Sequence, residues 1–193
     1  MRTLRNRSTV LLVLAALAAT AGTPSAARAD HDIGTPYTGT RPFQLDLHGG
    51  LAWYGFGVAS GARFGIPLVH NGFVPSLDNA VYLNFGADFY FIDDAGCYFV
   101  GAGCARAYRP ALGFPVTLHW EFYFNDMWSA FAELGAQIFF PPSVFANGTF
   151  DYNQHAGMWV IGAAGGSLHL GVLSITLRVG NPYVAIGVTF EIG

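Results

Sequence analysis

The sequence predicts an all-β protein: an eight-stranded antiparallel up-and-down β-barrel that crosses a membrane, preceded by a cleaved signal peptide. Three observations predict it. From Phe43 onward, large apolar residues alternate with polar or small ones at period two, segment after segment, between clusters of Gly, Pro, Asn and Asp. Most segments run about ten to fourteen residues, longer than the five or six of ordinary strands and enough for tilted membrane strands. The 193-residue chain is 52% hydrophobic and only 11% charged, whereas a soluble surface carries roughly 25–35% charged residues. No run of about 18 apolar residues past position 21 could cross a bilayer as a helix. This composition does not fit a disordered or nucleic-acid-binding chain.

The N-terminal segment is set aside first. Arg2, Arg5 and Arg7 precede an apolar stretch, Val10 to Ala21, followed by Pro24 and the triplet Ala27-Arg28-Ala29. That order of basic, apolar and small residues is a secretory signal peptide, cleaved after Ala29. Its apolar stretch, about 12 residues, is too short to span, and no Cys follows to accept a lipid. The organisation expected is therefore a signal peptide over 1–29, an N-terminal periplasmic arm over 30–42 and a barrel domain over 43–193. Beyond residue 29 all 12 acidic residues remain against five arginines, an acidic balance that offers nothing to nucleic acid.

The strands follow in order as Phe43 to Tyr54, Phe56 to Val69, Val81 to Ile92, Leu112 to Phe124, Trp128 to Phe140, Met158 to Leu170, Ser174 to Gly180 and Tyr183 to Ile192. Each has two unlike faces. In the first, Leu45, Leu47, Leu51 and Trp53 oppose Gln44, Asp46, His48 and Gly50. In the fourth, Leu112, Phe114, Val116, Leu118, Trp120, Phe122 and Phe124 oppose Gly113, Thr117, His119 and Glu121. In the last, Val184, Ile186, Val188, Phe190 and Ile192 oppose Ala185, Gly187, Thr189 and Glu191.

A membrane barrel turns the bulky face to lipid, and a lipocalin-like soluble barrel turns it inward. Strand length, continuous bulky faces and sparse charge favour the first arrangement. Rings cluster near strand ends, at Trp53, Tyr54, Phe89 to Phe91, Phe122 to Phe124, Trp128, Phe139, Phe140, Trp159 and Tyr183, as in interfacial girdles.

The longest connections are Asp93 to Ala111 and Pro141 to Gly157. The first holds Cys97 and Cys104, read as a disulfide across a loop of an exported chain; the bridge would contribute about 2.5 kcal/mol. Candidate binding residues in these loops are Asp93, Asp94, Arg106, Arg109, Phe150 and Tyr152, because loops on a rigid scaffold often carry binding.

These features resemble the small eight-stranded outer-membrane barrels of Gram-negative bacteria, the OmpA or OmpX-like transmembrane domains. The resemblance spans residues 43–193. It rests on the signal segment, the eight alternating segments and the last strand, where Gly187-Val188-Thr189-Phe190-Glu191-Ile192 is similar to the spacing that barrel insertion machinery recognises. The chain departs from many such proteins in ending Glu191-Ile192-Gly193 rather than in Phe. The resemblance implies the outer membrane of a Gram-negative bacterium as the location, reached through the general secretory pathway. It also implies outer-membrane lipid and the insertion machinery as partners.

The polar face gathers Asp46, His48, Arg63, Asp88, His119, Glu121, Glu133, His169, Arg178 and Glu191. Buried together, such groups must pair, share protons or be wetted. An eight-stranded lumen is about wide enough for side chains to fill, so a closed ionic plug is expected. A narrow proton or ion path is the sharper alternative. A metal on His48, His119 and Glu121 rests on one i, i+2 pair and is not assigned.

Ser167 and His169 form the one tempting Ser-His pair. Their order reverses the His-x-Ser-Asn of membrane lipid A deacylases, and their parity points into the lumen, so no enzyme activity and no cofactor is assigned. The reading is a structural or surface-interaction barrel acting through its outward loops on an unidentified extracellular ligand. A small channel or hydrophobic-substrate conduit and a soluble lipocalin-like binder are the alternatives.

Overall fold

The computed structural model describes residues 31–53, 57–93, 108–141 and 157–193. Eight strands, β1 (Phe43–Ala52), β2 (Gly57–Val69), β3 (Asn79–Asp93), β4 (Tyr108–Tyr123), β5 (Trp128–Phe140), β6 (Gly157–His169), β7 (Leu173–Asn181) and β8 (Tyr183–Ile192), follow one another in space as in sequence. Each pairs antiparallel with its neighbours, and β8 returns to β1, so the sheet is a closed barrel. Closure leaves no edge strand with unpaired backbone groups. The observed bounds lie close to those the alternation predicts; the largest difference is at β4, which begins earlier, at Tyr108.

Pro115 faces the lumen in the middle of β4, a position where a proline has no N–H for the ladder. The β3–β4 pairing accordingly passes from Phe85↔Val116 to Asp88↔Gly113 without partners between. The β4–β5 ladder runs through Pro115↔Gln137 uninterrupted.

The faces sort as the alternation predicts. Leu118 is 48% exposed on the outside while His119 and Glu121 beside it are buried. Leu47, Leu51, Leu134, Val160, Leu177 and Ile186 also project outward, and Asp46, Arg63, Asp88, Glu133 and Arg178 project inward. One expectation is corrected here. Tyr90, Tyr123, Phe139 and Tyr183 are buried in the lumen rather than placed in an outer girdle, and Trp159 stacks on Phe139 at 4.6 Å. Their parity is the reason: Tyr90 follows Asp88 by two residues, Tyr123 follows Glu121, and Phe139 follows Gln137, so each shares the polar face. Trp53, Phe89, Phe91, Phe124 and Trp128 do face outward.

The two ends of the barrel differ. Strands β3 and β5 end, and β4 and β6 begin, at the mouth where the longest connections lie; this is the loop mouth. The opposite, N-terminal mouth carries the turns 70–78, 124–127 and 170–172. Residues 31–42 fold across that mouth. His31 donates its backbone N–H to Asp126 at 2.7 Å, and its ring bonds Asp78 at 2.6 Å. Arg41 pairs with the other oxygen of Asp78, and its guanidinium lies between the rings of Tyr37 (3.7 Å) and Tyr123 (4.2 Å). His31 also stacks on Tyr123 at 4.7 Å. The arm is thus a strap whose Arg41 and His31 side chains converge on the buried Asp78 carboxylate, with further bonds from Arg41 to His70 and from Tyr37 to Asn71.

Asp78→Ala leaves the buried Arg41 without its anion, a change that costs about 3–5 kcal/mol, more than a short strap can retain. Limited proteolysis of the folded protein should cut within residues 31–42 far faster in this variant while the strands stay intact. Cleavage at the unsubstituted rate would show that Asp78 is not the anchor.

Candidate functional site

Inward parity brings the predicted polar set into one cluster. Its centre is Glu133 on β5, whose carboxylate accepts from Arg63 of β2 at 3.1 Å, Arg178 of β7 at 3.1 Å and His119 of β4 at 2.8 Å. Arg63 also reaches Asp88 at 2.9 Å, and Arg178 reaches Asp46 at 3.3 Å. His48 bonds Asp46 at 2.6 Å through Nδ1 and the Tyr183 hydroxyl at 2.9 Å through Nε2. Such multiply bonded ion pairs satisfy charges that would otherwise be costly to bury.

Below this layer, toward the N-terminal mouth, the Ser129 hydroxyl lies 2.6 Å from Glu121 and 2.8 Å from Nε2 of His169. Glu121 as a carboxylate can only accept, so Ser129 donates to it and accepts from His169. Nδ1 of His169 meets Ser174 at 2.8 Å and Glu191 at 3.7 Å. Tyr123 donates to the second oxygen of Glu121 at 2.9 Å. A file of hydroxyls, Ser167 to Thr176 (3.4 Å), Thr176 to Thr189 (3.2 Å) and Thr189 to Asp46 (3.1 Å), runs along the β6–β8 wall.

At the loop mouth the lumen is apolar: Ala52, Ala59, Tyr90, Ala111, Phe139, Tyr183 and Ala185 form one buried cluster against Ile92 and Trp159. Tyr90 and Tyr183 carry their hydroxyls down to Asp88, at 3.3 and 3.0 Å. Voids within the cluster are small. One of about 20 Å³ touches Asp46, Asn84, His119, Glu121 and His169; another of about 10 Å³ touches Thr117, Glu133, Arg178 and Tyr183. The first is large enough for one water molecule, and the second is at the lower limit for one.

Sequence reasoning paired Ser167 with His169, but the histidine takes its hydroxyl partners from β5 and β7, Ser129 and Ser174, while Ser167 bonds Thr176. The Ser129 proton is directed to Glu121, so His169 does not act as its base in this arrangement, unlike an activated nucleophile. His48 and the His119–Glu121 pair belong to different parts of the cluster: His48 lies with Asp46 and Asp88, and His119 stands 3.7 Å from Glu121. Among the described residues no group of three or more potential ligands could hold a metal ion.

Of the loop candidates, Asp93 ends β3 and Arg109 lies exposed in β4. Asp94, Cys97, Cys104, Arg106, Phe150 and Tyr152 lie outside the described residues, as does the segment 1–30. No family model matches the chain, and no curated protein matches it in sequence.

Glu133→Gln removes the anion that Arg63, Arg178 and the His119 ring share. It should cost about 3–5 kcal/mol, because two buried guanidinium groups lose a charge partner; Glu191→Gln at the half-exposed mouth should cost under about 1 kcal/mol. Guanidinium titration of the folded fraction of each variant checks the contrast, and equal midpoints would remove Glu133 from the centre of the cluster.

Proposed function

We propose that this chain is an outer-membrane β-barrel protein of a Gram-negative bacterium, exported with residues 1–29 removed, with a structural or surface-interaction role and no catalytic one. Its outward loops are the surface offered to an extracellular ligand, and its barrel wall is offered to lipid. The observation that carries this reading is the inversion of an ordinary protein. Its ion pairs are buried in the lumen, while a belt of Leu, Val, Ile and Phe from all eight strands stands exposed outside, with Leu134 at 66% and Val160 at 72%. Soluble monomers rarely expose contiguous apolar surface beyond a few hundred Å², whereas a bilayer favours this pattern.

The outward direction of Leu118, together with the inward direction of His119 and Glu121, is opposite to what a lipocalin-like binder requires. The filled lumen, with its small voids, favours a plugged barrel over a conduit.

The test is to refold residues 30–193 with and without detergent micelles and compare gel mobility before and after boiling. The expected outcome is a compact, faster band that forms only with micelles or vesicles and is lost on boiling, together with no conductance in planar bilayers. A stable monomeric β-protein in plain buffer would overturn the membrane assignment, and steady single-channel currents would overturn the plug.

A further inference from the structure

The polar groups of the lower lumen are arranged in a line rather than scattered. Glu191, whose side chain is 27% exposed at the N-terminal mouth, stands 3.7 Å from Nδ1 of His169. Nε2 of His169 meets Ser129 at 2.8 Å, and Ser129 donates to Glu121 at 2.6 Å. The other oxygen of Glu121 lies 3.7 Å from Nε2 of His119, a buried nitrogen otherwise without a hydrogen-bond partner. Nδ1 of His119 is bonded to Glu133 at 2.8 Å. We propose that this line is a one-ended proton relay, which carries protons from the N-terminal mouth to the middle of the barrel and does not pass them across.

The steps balance. A proton taken up by Glu191 passes to Nδ1 of His169 as the Nε2 proton moves to Ser129 and the Ser129 hydroxyl proton to Glu121. Glu191 is again a carboxylate, His169 again carries a single ring proton but now on Nδ1, Ser129 again has its hydroxyl proton, and Glu121 is neutral; return of the proton by the same path restores the starting tautomer. Glu121 then gives its proton to Nε2 of His119, whose Nδ1 proton moves to Glu133. Two links, at 3.7 Å, are longer than a hydrogen bond. The Glu121–His119 link closes by side-chain rotation or through one water in the adjoining void of about 20 Å³, which touches His119, Glu121 and His169, and the Glu191–His169 link closes by side-chain rotation at the half-exposed mouth.

The line stops at Glu133 because its further partners are Arg63 and Arg178, which do not give up protons in proteins. The hydroxyl file on the β6–β8 wall leads to Asp46 and His48; the Tyr183 hydroxyl that meets His48 and the Tyr90 hydroxyl both turn down to Asp88, and above them lies the apolar cluster of Ala52, Ala59, Ala111 and Phe139 packed against Trp159. The charge carried by the lower plug therefore follows the pH at one mouth. This inference rests on the closed barrel and its side-chain geometry, not on which membrane holds it.

Hydrogen–deuterium exchange at the histidine rings of the full barrel, ¹⁵N-labelled and refolded in micelles, tests the relay. Ser129→Ala should slow exchange at His119 about tenfold, as expected for roughly 1.4 kcal/mol added to the transfer barrier. Exchange at His48, which Ser129 does not serve, should keep its rate. Ser129→Thr, which restores a hydroxyl, should recover the rate at His119. His169→Phe reads the same link should the alanine variant fail to fold. Unchanged exchange at His119, or equal slowing at His48 and His119, would overturn the relay. In vesicles whose barrel shows boiling-sensitive mobility, an entrapped pH dye should respond to an external acid step no faster than in empty vesicles; a faster response would overturn its one-ended character.

Discussion

The carboxylate of Glu133 is the junction on which the interior depends. Three strands, β2, β4 and β7, send Arg63, His119 and Arg178 to this one group on β5, so it ties opposite walls of the barrel together across the lumen. Buried ion pairs of this kind contribute little net stability compared with well-packed apolar groups, but breaking one is expensive. Their effect is on register. A slip of one residue in β5 would carry Glu133 and Gln137 to the outer face and bring Leu134 and Ile138 in, leaving Arg63 and Arg178 without their shared anion. The rows of neighbours, Asp46↔Arg63 between β1 and β2 and His119↔Glu133 between β4 and β5, are held to one alignment by the same requirement.

Most of the fold was legible because period two is a strong signal when the two faces differ as much as Leu118 and His119 do. The inward polar set was legible for the same reason, since parity alone separates Glu121 from Phe122. The rings were harder. A tyrosine near a strand end suits a membrane interface and a polar lumen equally well by type, and only its parity with Asp88 or Glu121 places Tyr90 and Tyr123 inside. Tyr82 and Phe131 carry the same parity signal and were missed as luminal residues.

The partners of His169 could not be read at all. Ser129 and Ser174 lie on flanking strands and reach it through the pairings Ser129↔Ser167 and His169↔Ser174, which depend on registers that no local pattern encodes. The strap over the mouth was equally hidden: Arg41, Asp78 and His31 sit in irregular segments, where no periodicity connects them.

The two mouths are closed by different chemistry. At the loop mouth, Tyr90, Phe139, Trp159 and Tyr183 stack into an apolar layer whose hydroxyls point down into the ion pairs. At the other, the strap brings the Arg41 cation and the His31 ring onto Tyr123, whose hydroxyl belongs to the cluster around Glu121. The first excludes charge by lacking polar groups. The second is partly open at Glu191, whose side chain is 27% exposed.

The lumen is also filled unevenly around its circumference. The bulky interior side chains come mainly from β3, β4 and β5, while β6 to β8 contribute mostly Gly, Ala, Ser and Thr, and the larger void lies against Ser167, Ser174, Thr176 and Thr189. A few of those small residues are sockets: a Cβ at Gly165 would meet the Phe131 ring at 2.3 Å, and one at Gly187 would meet the Asp46 carboxylate at 2.8 Å. The capacity of this interior to vary is therefore lopsided. Added methyl groups can be absorbed beside the hydroxyl file, whereas the facing wall and the glycine sockets are fixed by what already occupies them, so sequence drift in such a barrel would be channelled to one side of its core.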